Sequence, residues 1–144
     1  MWLWREFFNL SKLVICMKLE KNFSLHEFRC KDGTDVPEEF MCNVQQLCMN
    51  LQVLRDHINK PITIISGYRS PEYNKKIKGA KRSQHLLAKA ADIVVAGMTS
   101  LEVRDIIIQL IKEEKMDPGG VGIYPTFVHY DVRGRNARWG SYKK

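Results

Sequence analysis

Residues 83–95 read Ser-Gln-His-Leu-Leu-Ala-Lys-Ala-Ala-Asp-Ile-Val-Val. The small and β-branched residues of 90–95 predict a strand, with Asp92 in it and His85 in the loop that leads in. His129 lies in a second apolar run, at 127–132. A polar side chain buried without a partner costs roughly 2–7 kcal/mol, and a charged one costs more. His85, Asp92 and His129 are therefore expected to share a divalent metal ion, which satisfies two imidazoles and one carboxylate at once.

The spacing of apolar residues elsewhere predicts an α+β domain. It indicates two long helices, over 37–58 and 101–114, the second preceded by a capping-box pattern of Thr99 and Glu102. A short helix is expected at 70–77, and further strands, of which the last two pair, are expected at 62–66, 121–124 and 127–132. We therefore expect two long helices packed on a small, mainly antiparallel sheet that carries the metal site.

A length of 144 residues predicts a single domain, expected at 22–144, with 1–21 as a loosely attached extension. Charged residues interrupt the apolar start of the chain, so no run reaches the ~18 apolar residues that a membrane span needs. The start also lacks the basic residues and the small-residue cleavage site of a secretory signal. An upstream extension is the preferred interpretation, and an interfacial amphipathic anchor is the alternative.

The net charge of +7 is concentrated in two segments. Residues 67–89 hold seven Lys or Arg against one acid, and residues 133–144 hold five against none. Because both segments flank the candidate ligands, they predict a positive field that attracts anionic substrates; a merely solvated surface is the alternative. Nucleic-acid binding needs basic and aromatic residues interleaved on one face, or a known motif. Residues 68–89 have neither, so no nucleic-acid partner is expected.

The four cysteines lie in the first third of the chain and have no recognised zinc-knuckle spacing. Cys48 falls close to the apolar stripe of a predicted helix, where a thiol acts as a small hydrophobe. We interpret the cysteines as mostly reduced and structural, with a disulfide left open; they are Cys16, Cys30, Cys42 and Cys48.

Alternation along 127–132 places His129 and Asp131 on one face of a strand and apolar residues on the other. Such a strand contributes to a site on one side and to the core on the other. The small residues Ala90 and Ala91 before Asp92 let neighbouring segments approach closely, which a compact metal site requires.

Three blocks of sequence carry a resemblance to a known family. They read Ser-Gly-Tyr-Arg-Ser-Pro-Glu-Tyr-Asn at 66–74, Ser-x-His-x6-Asp at 83–92 and Phe-Val-His-x-Asp at 127–131. In this order they resemble the zinc D-Ala-D-Ala metallopeptidase family, in the branch found among bacterial cell-wall carboxypeptidases and phage endolysins. The resemblance covers about residues 22–140. It implies the D-Ala-D-Ala metallopeptidase, or hedgehog-like, fold and cleavage of peptide bonds next to D-amino acids in peptidoglycan.

The resemblance also implies a role for each matching residue. The zinc ligands are matched by His85, Asp92 and His129. Arg69 matches the arginine that binds the scissile carbonyl oxygen and the developing oxyanion, and Ser83 matches the serine that holds a peptide or carboxylate group of the substrate. A guanidinium suits that role because it keeps its proton and offers a rigid fork of donors. A surface salt bridge is the alternative for Arg69.

Two positions depart from the family pattern. Ala88 stands where the family normally has Gly, which is unfavourable if that position needs a positive φ. Thr126 stands where many members have a catalytic Glu or Asp, and threonine cannot act as a general base near neutral pH. Asp131 is the nearest carboxylate on the correct face, and we expect it either to accept the proton of the attacking water or to orient His129.

The sequence therefore predicts a monomeric zinc peptidase that acts on peptidoglycan stem or cross-link peptides, as a carboxypeptidase or an endopeptidase. The alternative, favoured by Thr126, is a non-catalytic metal-containing module of the same fold that binds cell wall or forms part of a virion. Action at the bacterial cell wall without a clear signal suggests a phage lysis protein or another export route.

Overall fold

The computed structural model describes residues 18–141. The predictions for residues 1–17, including the extension, the interfacial anchor and Cys16, lie outside this part of the chain. The described part begins with a hairpin, in which β1 (Lys18–Glu20) pairs antiparallel with β2 (Phe23–Ser24). The hairpin spans the domain boundary expected after residue 21, and that boundary stays a prediction.

Five strands form the main sheet. In chain order they are β3 (Ile62–Ser66), β4 (Ala90–Val95), β5 (Gly120–Ile123), β6 (Val128–Asp131) and β7 (Ala137–Gly140). Their spatial order is β3-β4-β6-β5-β7. The first three pairings are antiparallel and β5 pairs with β7 in parallel, so the sheet is mixed. Three of these four pairings are antiparallel, in agreement with the expected "mainly antiparallel" sheet, but the parallel pair was not expected, because β7 was absent from the prediction.

The helices agree in part with the prediction. They are α1 (Met41–Ile58), α2 (Pro71–Lys76) and α3 (Ser100–Lys112). Short 3-10 turns occupy Leu25–Phe28, Glu38–Phe40 and Gln84–Leu87. The first of the long helices starts later than expected, because the turn after Pro37 is 3-10 rather than α. The α+β class is confirmed, with the sheet mixed and a third, short helix beside the two long ones.

The core lies between the long helices and one face of the sheet. Each element contributes its apolar stripe, and the fully buried members include Val44, Leu47, Leu51 and Leu54 of α1, Ile107 and Leu110 of α3, and Ile93, Val128 and Tyr130 of the sheet. The strands β4 and β6 alternate, so the neighbours of these core residues point to the opposite face. That opposite face carries the site. In residues 18–141, no helix has both the length and the apolar character that crossing a bilayer requires.

Candidate metal centre

One row of cross-strand partners runs over the whole sheet. Ser66 faces Asp92, Asp92 faces His129, His129 faces Gly122, and Gly122 faces Trp139. Partners in a row share one face of a sheet, so antiparallel pairing of β4 with β6 alone places Asp92 beside His129. His85 joins them from the 3-10 turn before β4, and all three side chains are buried.

The three side chains predicted to bind zinc converge on one point. Asp92 Oδ1 lies 3.3 Å from His85 Nε2 and 3.1 Å from His129 Nδ1. One ligand atom from each residue lies within 4.8 Å of the others. Bonds of about 2.0–2.2 Å in a tetrahedron put neighbouring ligand atoms about 3.3–3.6 Å apart. The two measured separations therefore fit a shared zinc ion after shifts of a few tenths of an ångström at most.

Hydrogen bonds on the far side of each imidazole decide which nitrogen faces this point. His85 Nδ1 lies 2.7 Å from the carbonyl oxygen of Gly67, which can only accept, so Nδ1 carries the proton. His129 Nε2 lies 2.7 Å from Asp131 Oδ2 and donates in the same way. In the neutral rings, the two remaining nitrogens and Asp92 Oδ1 are all acceptors. Three acceptors at this distance repel one another unless a cation, either a proton or a metal ion, lies among them.

The ionisation of the ion-free site follows from the same contacts. Burial would raise the pKa of Asp92, but hydrogen bonds to His129 and His85 outweigh it and hold the pKa well below its usual range. Burial would lower the pKa of His129, but its hydrogen bonds to Asp131 and Asp92 outweigh that effect and raise the pKa. The site thus holds a carboxylate and favours positive charge next to it, which is the electrostatic condition for binding a cation.

Asp131 is fully buried and both of its oxygens are engaged. Oδ1 accepts from the backbone of Gly120 at 2.9 Å and from Arg133 Nε at 2.9 Å, while Oδ2 accepts from His129 and from Arg133 Nη2 at 2.8 Å. Burial would raise the pKa of Asp131, yet the hydrogen bonds from His129 and Arg133 hold it well below its usual range. These contacts favour the orienting role of Asp131 over the base role.

Arg69 lies at the edge of the metal centre. Its backbone N–H donates to the carbonyl of His85 at 3.0 Å, and its Nη2 donates to Asp92 Oδ2 at 3.3 Å. Its Nε donates to Ser66 Oγ at 3.2 Å. Ser83 caps the 3-10 turn by accepting from the N–H of His85 at 3.3 Å. Both Arg69 and Ser83 line the cleft above the ligands, as their predicted roles require.

The cleft has a volume of about 590 Å³, and its floor contains the three candidate ligands. One wall is aromatic: Tyr124 and Phe127 stack with ring centroids 4.4 Å apart, and Trp139 Nε1 donates to the Tyr124 hydroxyl at 3.0 Å. The Trp139 indole also lies 5.0 Å from the His129 ring. The lining also contains three cationic side chains, which are Arg69, Arg82 and Arg133. A ligand with both an apolar surface and negative charge fits this lining.

A family model described as Peptidase M15 matches residues 19–131, which is most of the chain. The chain belongs to the Peptidase M15 family. The resemblance to zinc D-Ala-D-Ala metallopeptidases that the three sequence blocks carry is thereby confirmed.

Curated relatives of this M15 chain are peptidoglycan endopeptidases by name. It is 35% identical over 97 residues to the probable peptidoglycan L,D-endopeptidase MepK of Haemophilus influenzae, an overlap of 62% of this chain and 49% of the relative. It is 35% identical over 80 residues to the peptidoglycan L,D-endopeptidase MepK of Escherichia coli K12, an overlap of 51% of this chain and 41% of the relative. The M15 chain thus spans less than half the length of these relatives.

The two departures from the M15 pattern have different structural outcomes. Ala88 ends the 3-10 turn after His85 with φ +54, a left-handed conformation, and it is buried. The position therefore does need a positive φ, and alanine adopts it against its preference. Thr126 is exposed in the turn between β5 and β6 and does not line the cleft.

Sequence reasoning about this M15 chain missed Arg133, Trp139 and the two glycines of β5. A Cβ at Gly122 would lie 2.5 Å from Trp139 Cε2, and one at Gly120 would lie 2.8 Å from Trp139 Cη2. Glycines at alternate positions of a strand were the available signal, because they mark a close approach by another group. The alternation His129-x-Asp131-x-Arg133 was the signal for the arginine. The remaining histidines, His26 and His57, are exposed and lie outside the cleft.

Three of the four cysteines lie within the described residues, and each is a free thiol: Cys30, Cys42 and Cys48. Cys48 is buried on the apolar stripe of α1, and this burial raises the pKa of its thiol. A buried, protonated thiol acts as a small apolar group.

Proposed function

We propose that this chain is a zinc peptidase that cleaves peptide bonds in the stem or cross-link peptides of peptidoglycan. The observation that carries the proposal is the convergence of His85 Nε2, Asp92 Oδ1 and His129 Nδ1 on the floor of a cleft, with Arg69 beside them. Membership of the Peptidase M15 family and the names of the MepK relatives support both the reaction and the substrate.

The side chains of the cleft have separate proposed roles. His85, Asp92 and His129 would hold the ion, which when bound supplies a Lewis acid and lowers the pKa of a bound water. The Arg69 guanidinium contacts Ser66 through Nε and Asp92 through Nη2. Its Nη1 can donate to the carbonyl oxygen of the scissile bond as negative charge develops there. Ser83, at the rim of the same cleft, would hold a peptide or carboxylate group of the substrate.

Asp131 is proposed to act as a positioning residue. Its Oδ2 accepts a hydrogen bond from the Nε2–H of His129, so the lone pair of Nδ1 is directed to the metal position. Its other contacts, with Gly120 and Arg133, leave neither oxygen directed into the cleft. Carboxylates that orient metal-binding histidines in this manner also raise the basicity of the ligand.

Cleavage within a peptide is the reaction that the relatives' names favour over removal of a terminal residue. Both MepK proteins are named as endopeptidases. We propose that the chain acts at the bacterial cell wall as a monomer, with terminal cleavage as the second reaction to be tested on the same substrates.

A second candidate is a metal-containing binding module without turnover. The observation that favours it is the shortage of carboxylates in the cleft. Among the described residues that line the cleft, Asp92 is the one carboxylate, and it is already a candidate metal ligand, so no second carboxylate is available there as a general base. A module of this kind would bind zinc and cell-wall peptide but release nothing.

Digestion of purified peptidoglycan sacculi separates the two candidates. We expect the zinc-loaded chain to release peptide fragments, a chelator to stop the release, and added Zn²⁺ to restore it. Mass spectrometry of the fragments identifies the bond that is cut. The His129→Ala variant should bind less zinc and release nothing. Full zinc occupancy with no fragments from any sacculus preparation would contradict the peptidase and support the module.

A further inference from the structure

A strongly basic segment borders the cleft and runs from the last two residues of α2 to the 3-10 turn at Gln84–Leu87. It carries five cationic side chains and no acid, and all five are exposed: Lys75, Lys76, Lys78, Lys81 and Arg82. We call this set the basic lip. Within residues 18–141, none of the five forms an ion pair with a carboxylate. Five like charges this close in sequence repel one another, so the lip is a surface that an anionic partner would stabilise.

The lip is held in shape by a buried side chain. Asn74 is only 5% exposed, and its Nδ2 donates to the carbonyl of Ala80 at 3.0 Å. The backbone carbonyl of Asn74 accepts from the N–H of Gly79 at 2.8 Å, and the Asn74 amide occupies the space that a Cβ of Gly79 would need. The segment is therefore closed into a loop by three contacts of one residue, and these contacts fix the backbone from which the lysines extend.

The same loop forms part of the cleft wall. Ile77, Gly79, Ala80 and Arg82 line the cleft together with the candidate metal ligands, whereas the four lysines do not line it. The lysines thus extend the positive charge of the cleft lining onto the exposed surface of the same loop. A polymer chain that enters the cleft beside Arg82 would come close to them.

We propose that the basic lip docks the carboxylate-rich glycopeptide polymer from which the scissile peptide extends. This inference rests on the proposed function for the identity of the polymer. A single exposed charge pair contributes little, about 0–1 kcal/mol, so a small free peptide gains almost nothing from the lip. A polymer that carries many carboxylates places several of them near the lysines at once, and the contributions add. The lip therefore favours intact wall over released fragments.

The test compares two variants with equal changes in charge. The lip variant carries Lys75→Gln, Lys76→Gln, Lys78→Gln and Lys81→Gln, and leaves Arg82 in the cleft untouched. The control variant carries Lys21→Gln, Lys60→Gln, Lys112→Gln and Lys115→Gln, four exposed lysines that do not line the cleft. Both variants have the same net charge, so any difference between them reports position and not overall charge.

Co-sedimentation of the zinc-loaded full chain with insoluble sacculi at 4 °C gives the affinity without requiring turnover. We expect the lip variant to bind at least about tenfold more weakly than wild type at low salt, which is the lower end of what a focused surface charge contributes. The difference should shrink at about 1 M salt, where the Debye length falls to about 3 Å. The control variant should bind like wild type. Equal binding by all three proteins, or an equal loss in the control, would overturn the proposal.

Two further measurements complete the test. The kcat/KM of the lip variant on a short soluble muropeptide should equal that of wild type, because such a peptide does not reach the lysines. A lower kcat/KM would show that the lysines act on substrate bound in the cleft and would overturn the docking of the polymer. Soluble uncross-linked glycan strands that carry many stem peptides should compete with sacculi for the lip better than duplex DNA does, and the reverse order would overturn the polymer identity in favour of a nucleic acid. If the wild-type chain cleaves no peptide but the lip variant still binds sacculi more weakly than wild type, the docking surface is supported and the proposed peptidase activity is contradicted.

Discussion

His129 Nε2 and Asp131 Oδ2 lie 2.7 Å apart, although the two residues are only two positions apart in one strand. The contact is possible because alternate residues of a strand share a face. It fixes the tautomer of His129 and turns Nδ1 toward Asp92, 3.1 Å away. Arg133 in turn holds Asp131 with two parallel hydrogen bonds, so three alternate residues form one continuous polar chain that ends at the metal position.

Replacing Asp131 by Asn distinguishes an orienting role from a base role. An amide at this position no longer offers Oδ2 as a full carboxylate acceptor, so we expect zinc affinity to fall about 10–100-fold, the usual effect of losing a partner that orients a ligand. Competition with a chromogenic chelator measures this without any turnover. Unchanged zinc affinity together with a lost kcat would contradict the orienting role and assign the base to Asp131. Arg133→Met should weaken zinc binding in the same direction, because it leaves Asp131 with fewer donors.

Arg69 is expected to affect rate and not metal content. Arg69→Met removes a donor that lines the cleft and contacts the candidate ligand Asp92, and we expect kcat to fall about 10²–10³-fold, as when an oxyanion donor is lost. Zinc content, measured by elemental analysis, should stay at one ion per chain, because Arg69 contacts Asp92 through Oδ2, whereas the candidate ligand atom, which lies close to both histidines, is Oδ1. Arg69→Lys keeps the charge without the rigid fork and should restore part of the rate. Normal turnover by Arg69→Met would remove its assigned role.

Local sequence patterns correctly predicted the elements that depend on interactions between residues close in sequence. The strand at 90–95 was predicted at its observed bounds, because small and β-branched residues there are followed by a turn. The capping box of Thr99 and Glu102 is confirmed, with the Glu102 carboxylate accepting from the Thr99 N–H at 2.7 Å. The antiparallel pairing of β5 with β6 also follows from their short separation in sequence.

The elements that were missed depend on distant partners. β7 is only four residues long, too short for the alternation of Ala137 and Trp139 with Arg138 and Gly140 to predict a strand. It is held at the sheet edge by parallel pairing with β5 and by the Trp139 indole over two glycines. The β1–β2 hairpin consists of only three and two residues, too few for a periodicity to register. Likewise, the 3-10 turn that brings His85 to Asp92 was expected to be a loop. The grouping of three ligands came from residue chemistry and the family resemblance, since no local pattern links His85 to His129.

Gly122 and Trp139 are expected to be energetically coupled. In Gly122→Ala the new methyl meets the indole, and we expect a loss of about 1–3 kcal/mol in the free energy of unfolding, as for other overpacked sites. Removing the indole in Trp139→Ala makes room, so the double variant should be more stable than the sum of the two single changes predicts, by about 0.5–3 kcal/mol. Urea unfolding of the four proteins gives this coupling energy. Strict additivity would show that the indole does not rest on Gly122 in solution.

Asp32 gives a stability change with a defined pH window. Its Oδ2 accepts from Ser70 Oγ at 2.5 Å and its Oδ1 accepts from the N–H of Thr34 at 2.8 Å. The hydrogen bond from Ser70, followed by those from Thr34, lowers the pKa of Asp32 from its usual 3.8. Because the pKa is lower in the folded state, the carboxylate contributes stability above pH 3.8, and this contribution is lost as the pH falls below that value.

Asp32→Asn should therefore lower the urea midpoint at pH 7 and at pH 5, and the difference from wild type should shrink as the pH falls through 3.8 toward 2.5. Ser70, the residue after Arg69, also caps α2 by accepting from the N–H of Tyr73 at 3.1 Å. Asp32 therefore stabilises the segment that positions Arg69. Asp35→Asn, at an exposed position in the same loop, is the control for the removal of one negative charge. A constant difference between wild type and Asp32→Asn from pH 7 to pH 2.5 would show that the Asp32 carboxylate has the same pKa in the folded and unfolded chain.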